Sequence, residues 1–315
     1  MAGSRIRPAS PRIAPGRPGT APLTAPSRPG QRAVPGVASL ALHRLLRAPL
    51  RAGRVIAAMP GVSYLDFGQR DSEPQVIALT GPGAICLPNA VALKIPATGP
   101  GPGLAVQGED AWVGNDCILA CGMDVQVRRW WDPCPVFGPL SRARLDHGLA
   151  TLARTCAAAG GRAGLDSHDA PAALAASCAA GDLAGAVEVA ENLIGLGPGL
   201  TPSGDSMISG LLLALRLLGG AIEGGTRAVW LADWLGAAVT HRADQRTTAL
   251  AAALLHCAAR GQAAEEAAAV LRGFAGQQPV EPAARRLLTA GRAAGADLAW
   301  GLMAGCRAAL ALSGR

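Results

Sequence analysis

Near Pro139 the chain changes its periodicity, and that change limits the fold more than any other feature. Before it lie short β-favouring stretches at 54–58, 62–67, 75–80, 84–87, 104–107, 111–113, 117–120 and 123–127, each bounded by Gly, Pro or an Asn-Asp pair. After it the composition turns to Ala, Leu and Arg with apolar residues three and four apart. That spacing predicts helices near 141–158, 170–193, 203–218, 226–240, 244–260, 279–290 and 296–312. One earlier stretch, 37–52, also has helical spacing through Leu40, Leu42, Leu45, Leu46 and Leu50. The expected class is α+β: a β-rich domain with a leading helix over 37–138, then an all-helical domain over 139–315.

A chain of 315 residues, half of them apolar and 16% charged, can bury a real core. With three Phe and one Tyr, that core must be built from Ala, Leu and Val. The formal charge of +7 is uneven. Ten Arg and no acid fall within residues 1–65, leaving nineteen basic residues against twenty-two acids elsewhere, and Lys94 is the one lysine. Such a body offers phosphates no clustered cations, so nucleic acid is not an expected partner. Residues 1–36 hold eight prolines and no apolar face, and are expected to form a disordered tail.

The eight cysteines stand singly, with no C-x-x-C pair and no His at ligand spacing. They read as buried, reduced thiols in a cytoplasmic protein, not as a disulfide framework or a metal site. The uncharged stretch 74–93 has the length of a membrane span but is cut by Pro and Gly, so no membrane association is expected.

Within the helical half one segment stands apart, Gly195-Leu196-Gly197-Pro198-Gly199-Leu200-Thr201-Pro202-Ser203-Gly204-Asp205. Six of the ten residues 195–204 are Gly or Pro. No helix can run through it, so the chain must turn between two helices. Thr201 or Ser203 can cap the following helix, with Pro202 in its first turn. Amides at a helix start, joined by two hydroxyls, are also a natural cradle for phosphate or carboxylate. An ordinary capped connection is the plain alternative. Asp205 would compete with an anion there unless it faces a cation or an amine.

This segment resembles the signature of a bacterial family long classed as a domain of unknown function. That family includes a subunit of the oxamate carbamoyltransferase of anaerobic allantoin degradation, a part of purine catabolism. Two further segments are similar to it: Arg246-Thr247-Thr248 leading to Gly261, and the stretch 291–301 with Gly295 and Asp297. The similarity spans about 50–312. Where the family usually has a second acid this chain has Ser206, and where the family has a Ser/Thr-rich entry it has Arg292-Ala293-Ala294.

The resemblance implies carbamoyl transfer between phosphate and a nitrogen acceptor such as oxamate, with carbamoyl phosphate as substrate or product. Such chemistry needs anion cradles and oxyanion donors, not a protein nucleophile. Gly197, Gly199, Thr201, Ser203 and Gly204 are the candidate cradle, joined by Thr247 and Thr248, whose plainer role is capping. Arg246 is the candidate clamp on carboxylate or phosphate. Asp205 and Asp297 are candidates to hold an amine or a divalent cation, and capping is the plain role for both. No other cofactor is implied.

Trp230 and Trp234, four apart, read as core or subunit-contact anchors. Partner protein subunits are expected. The competing functions are a non-catalytic scaffold subunit and a stand-alone small-anion-binding protein. All three helix starts are expected to meet at one pocket.

Overall fold

The structure is a computed structural model, and it describes residues 32–71, 73–94, 108–160, 164–165, 167–289 and 293–314. The expected strand at 104–107 and the expected tail up to residue 31 lie outside these.

The fold-class expectation is corrected in its β half. The β-rich domain does not open on a helix: it begins with a strand, and its strands close into an eight-stranded barrel. In chain order they are β1 (Arg32–Ser39), β2 (Arg51–Met59), β3 (Val62–Arg70), β4 (Glu73–Thr80), β5 (Ala90–Leu93), β6 (Asp110–Gly114), β7 (Cys117–Ala120) and β8 (Met123–Trp131). Around the barrel they run β1-β5-β4-β3-β2-β6-β7-β8. The β1–β8 and β4–β5 pairs are parallel and the others antiparallel.

Alternate residues such as Val55, Leu65, Ile77, Leu79, Val91, Val113, Ile118 and Val125 fill the interior. The expected helix over 37–52 is mostly something else. Its start belongs to β1, Leu40–Leu42 is a 3₁₀ turn, and only α1 (His43–Arg47) is helical. Leu42, Leu45 and Leu46 still point inward and join the barrel core, but Leu40 is exposed, so the leucine spacing found three of the core residues and the wrong element. Residues 32–36, assigned above to the tail, are strand. The expected strand at 84–87 is turn and irregular chain, and β5 takes the next apolar run.

The helical half contains α2 (Arg142–Ala158), α3 (Asp169–Ala180), α4 (Leu183–Leu193), α5 (Ser203–Ala221), α6 (Thr226–Arg246), α7 (Ala249–Ala259), α8 (Glu265–Phe274), α9 (Val280–Leu288) and α10 (Ala294–Ser313). The expected 170–193 helix is divided where Asp182 caps α4 by accepting from the Gly185 amide at 3.1 Å. Helix α8 had no counterpart in the sequence reading. Its signal was present in the Glu265-Glu266 first turn and in the spacing of Ala267, Val270, Leu271 and Phe274, all four of which are buried.

Helix α5 is the centre of this half. It is long and apolar enough to cross a membrane by composition, yet most of it lies inside the helical core. Against it runs α10, at a separation that only glycine permits: a Cβ on Gly210 would overlap the Leu298 carbonyl, and one on Gly301 would overlap that of Met207. Met207 meets Gly301, and farther along Leu211 meets Gly305, so the two helices run parallel and begin at the same end.

Barrel and helices share a third apolar cluster, in which Val76 of β4 packs with Leu250 and Ala253 of α7. Ile56, Tyr64, Leu87 and Leu200 of the Gly-rich loop flank it. Arg260 grips Glu73 of β4 with two hydrogen bonds of 2.9 and 2.6 Å. Burial works against the Glu73 charge, but Arg260, with His256 and Arg44, outweighs it and holds the carboxyl below its ordinary value.

Candidate functional site: a donor-rich loop at the start of α5

The loop between α4 and α5 is held from inside and from outside. Internally, Leu196 donates to the Leu193 carbonyl at 3.0 Å, and the Leu196 carbonyl accepts from the Gly204 amide at 2.9 Å. A side chain at 204 would overlap the Leu193 carbonyl, which fixes glycine there. Gly195 has φ +76° with its α-carbon against the Arg246 carbonyl, so both its backbone angle and its surroundings demand glycine.

From outside, the turn between α6 and α7 holds the loop. Asp205, 2% exposed, accepts from the Gly195 amide at 3.0 Å with one carboxylate oxygen and from the Thr247 hydroxyl with the other. Thr248 caps α7 by accepting from the Ala251 amide at 3.0 Å, while its own hydroxyl donates to the Leu200 carbonyl at 2.6 Å. Burial raises the Asp205 pKa above the ordinary aspartate value, partly offset by the Thr247 and Gly195 hydrogen bonds.

Those bonds leave the middle of the loop unspent. Neither Thr201 nor Ser203 caps α5, contrary to the sequence expectation; Pro202 occupies the N-cap position, and no side chain bonds there. Among the described residues, the amides of Gly197, Gly199, Leu200, Thr201 and Ser203 have no acceptor, and the Thr201 and Ser203 hydroxyls have no partner. These donors sit at the positive end of a 19-residue helix. Gly199, at φ +94°, has open space around it.

The other candidates fall nearby, with changed local settings. Arg246 does not begin a helix; it ends α6, with its side chain exposed and no ion pair to a described residue. Its carbonyl lies against the Gly-rich loop. Asp297, 1% exposed in the first turn of α10, accepts from the Gly164 amide at 2.6 Å. Gly164 in turn lies against the Ser203 hydroxyl.

Thus the starts of α5, α7 and α10 adjoin: Asp205 meets Thr247, and Gly164 links Ser203 to Asp297. Sequence reasoning had no means of finding Gly164, which follows a stretch without a motif.

Among the described residues no group of three or more His, Cys, Asp or Glu is placed to hold a metal ion. All eight cysteines are unpaired. A surface cavity of about 280 Å³ lies elsewhere, lined by Gly181, Thr226, Arg227, Trp230, Leu231 and Leu312. Beside it the rings of Trp230 and Trp234 lie 6.3 Å apart, tilted by 57°, with both residues more than half exposed.

The fold and the loop define a barrel protein with an attached helical assembly that presents unpaired donors at a buried helix start. Residues 193–306 match the model of a protein family described as oxamate carbamoyltransferase subunit AllH. The resemblance read from the sequence holds over that segment, which includes the Gly-rich loop, Arg246 to Thr248, and Asp297. No curated protein and no solved structure matches the chain.

Proposed function

We propose that the loop at the start of α5 binds a small anion, carbamoyl phosphate or an oxamate-like carboxylate, and that the chain is a subunit of a carbamoyltransferase-type enzyme working with partner subunits. The observation that carries this reading is the set of five unpaired loop amides and two unpaired hydroxyls in a loop that Asp205 and Thr248 already hold in shape. A cradle shaped before the ligand arrives loses little entropy on binding. In the transfer, the acceptor nitrogen attacks the carbamoyl carbon, negative charge gathers on the carbonyl oxygen, the carbon–phosphate oxygen bond breaks, and the departing phosphate takes up the proton that the nitrogen gives up. The loop donors suit that oxygen or the phosphate, and Arg246, exposed beside the loop, suits the remaining carboxylate. The setting would be the cytoplasm, where unpaired thiols persist.

Calorimetric titration of the full chain with carbamoyl phosphate, oxamate and inorganic phosphate tests the reading. Binding of at least one, lost in Gly199→Val with helical content kept, is the expected result; no heat with any of them would overturn it.

A second reading, a scaffold subunit without a ligand, is favoured by the exposed Trp230–Trp234 pair, a surface suited to protein contact.

A further inference from the structure

We propose that Gly164, which lies outside the segment matching the family, forms one wall of the anion site, and that Asp297 is the residue that positions it. The inference rests on the anion-binding reading above and deepens it.

The starting point is Ser203, the first residue of α5. It is 5% exposed, and its hydroxyl has no partner among the described residues. An unpaired donor at the positive end of a long helix is available to a bound oxyanion.

Two glycines flank that hydroxyl. On one side a Cβ added to Gly197 would stand 3.3 Å from Ser203 Oγ and 2.8 Å from the Ser203 amide nitrogen. On the other, a Cβ added to Gly164 would overlap Ser203 Oγ and lie 3.1 Å from its Cβ. Bare backbone therefore packs against this donor on two sides, and a side chain at either glycine would displace the hydroxyl from its place at the start of α5.

Gly164 is held in place by its amide, which donates to Asp297 Oδ1 at 2.6 Å. Asp297 thus acts on the site through the Gly164 backbone. One carboxylate oxygen engages the backbone N–H and fixes the wall, while Oδ2 stands 3.5 Å from where a Gly164 Cβ would be, on the Ser203 side. What the site needs from residue 297 is a hydrogen-bond acceptor, so asparagine should serve.

The test is calorimetric titration of the full chain with carbamoyl phosphate and inorganic phosphate, with a thermal melt of each variant. Gly164→Ala should weaken binding at least about tenfold while melting with the wild type, because its methyl displaces the Ser203 hydroxyl. Asp297→Ala should lose as much, and Asp297→Asn, which keeps the acceptor, should retain most of the affinity. If Gly164→Ala does not fold, the Asp297 pair decides.

Wild-type affinity in Gly164→Ala overturns the inference, as does an Asp297→Asn loss equal to that of Asp297→Ala. A wild-type chain that binds neither anion overturns the anion reading itself, and the inference with it.

Discussion

At the scale of single residues, Asp205 shows how a side chain conspicuous in the sequence can serve a different end. Its place beside a Gly-rich turn reads as a charge facing an amine or a cation, yet both of its oxygens are engaged by the protein. Thr247 lies 42 residues away, and no spacing rule connects the two. Asp205→Ala should cost roughly 1 to 3 kcal/mol, because it leaves the half-buried Gly195 amide and Thr247 hydroxyl unpaired. Asp205→Asn can still accept from Gly195 and can donate to Thr247.

The raised pKa gives a second test. The folded protein binds the Asp205 proton more tightly than the unfolded chain, so this group favours folding below the ordinary aspartate value and loses that contribution as pH rises through the folded value. Urea unfolding from mildly acid to neutral pH should therefore show Asp205→Asn gaining on the wild type as pH rises, then running parallel. Curves parallel throughout would exclude the linkage. For the ligand, Thr201→Ala and Ser203→Ala should each weaken anion binding by roughly 1 to 2 kcal/mol, measured by calorimetry.

At the scale of elements, the helices were more legible than the strands. Long Ala/Leu periodicity fixed α2, α5, α9 and α10 to within a few residues, since burial of one face repeats over several turns. β1 was missed because Arg-Ala-Val-Pro-Gly-Val-Ala-Ser contains both a proline and a glycine, residues that argue against a strand. Barrel closure was not legible either, because pairing β1 to both β5 and β8 is a long-range fact.

This gives a boundary test. Removing residues 1–31 should leave the melting temperature unchanged, whereas removing 1–36 deletes most of the closing strand and should lower it sharply. The α5–α10 contact gives another. Gly301→Ala drives a methyl into the Met207 carbonyl and should cost roughly 1 to 3 kcal/mol in urea unfolding, the usual penalty of overpacking.

At the scale of the molecule, the loop sits where barrel and helices meet, since Leu200 packs at the junction of β4 and α7. The Arg260–Glu73 pair ties that junction, and because the Glu73 carboxyl is held below its ordinary value, its contribution is present at neutral pH and lost on acidification. The three motif segments were visible in the sequence. Their meeting was expected as well, but the packing that produces it was not legible, because it depends on α5 and α10 running parallel through glycines whose role only a neighbouring backbone reveals.

The central claim, that the unspent loop donors receive a small anion, is tested most directly by amide hydrogen exchange of the full chain with and without carbamoyl phosphate. The account predicts slowed exchange at Gly197, Gly199, Leu200, Thr201 and Ser203, with the Gly195 and Gly204 amides, already bonded within the protein, unchanged. Protection elsewhere, or none at saturating ligand, would contradict it.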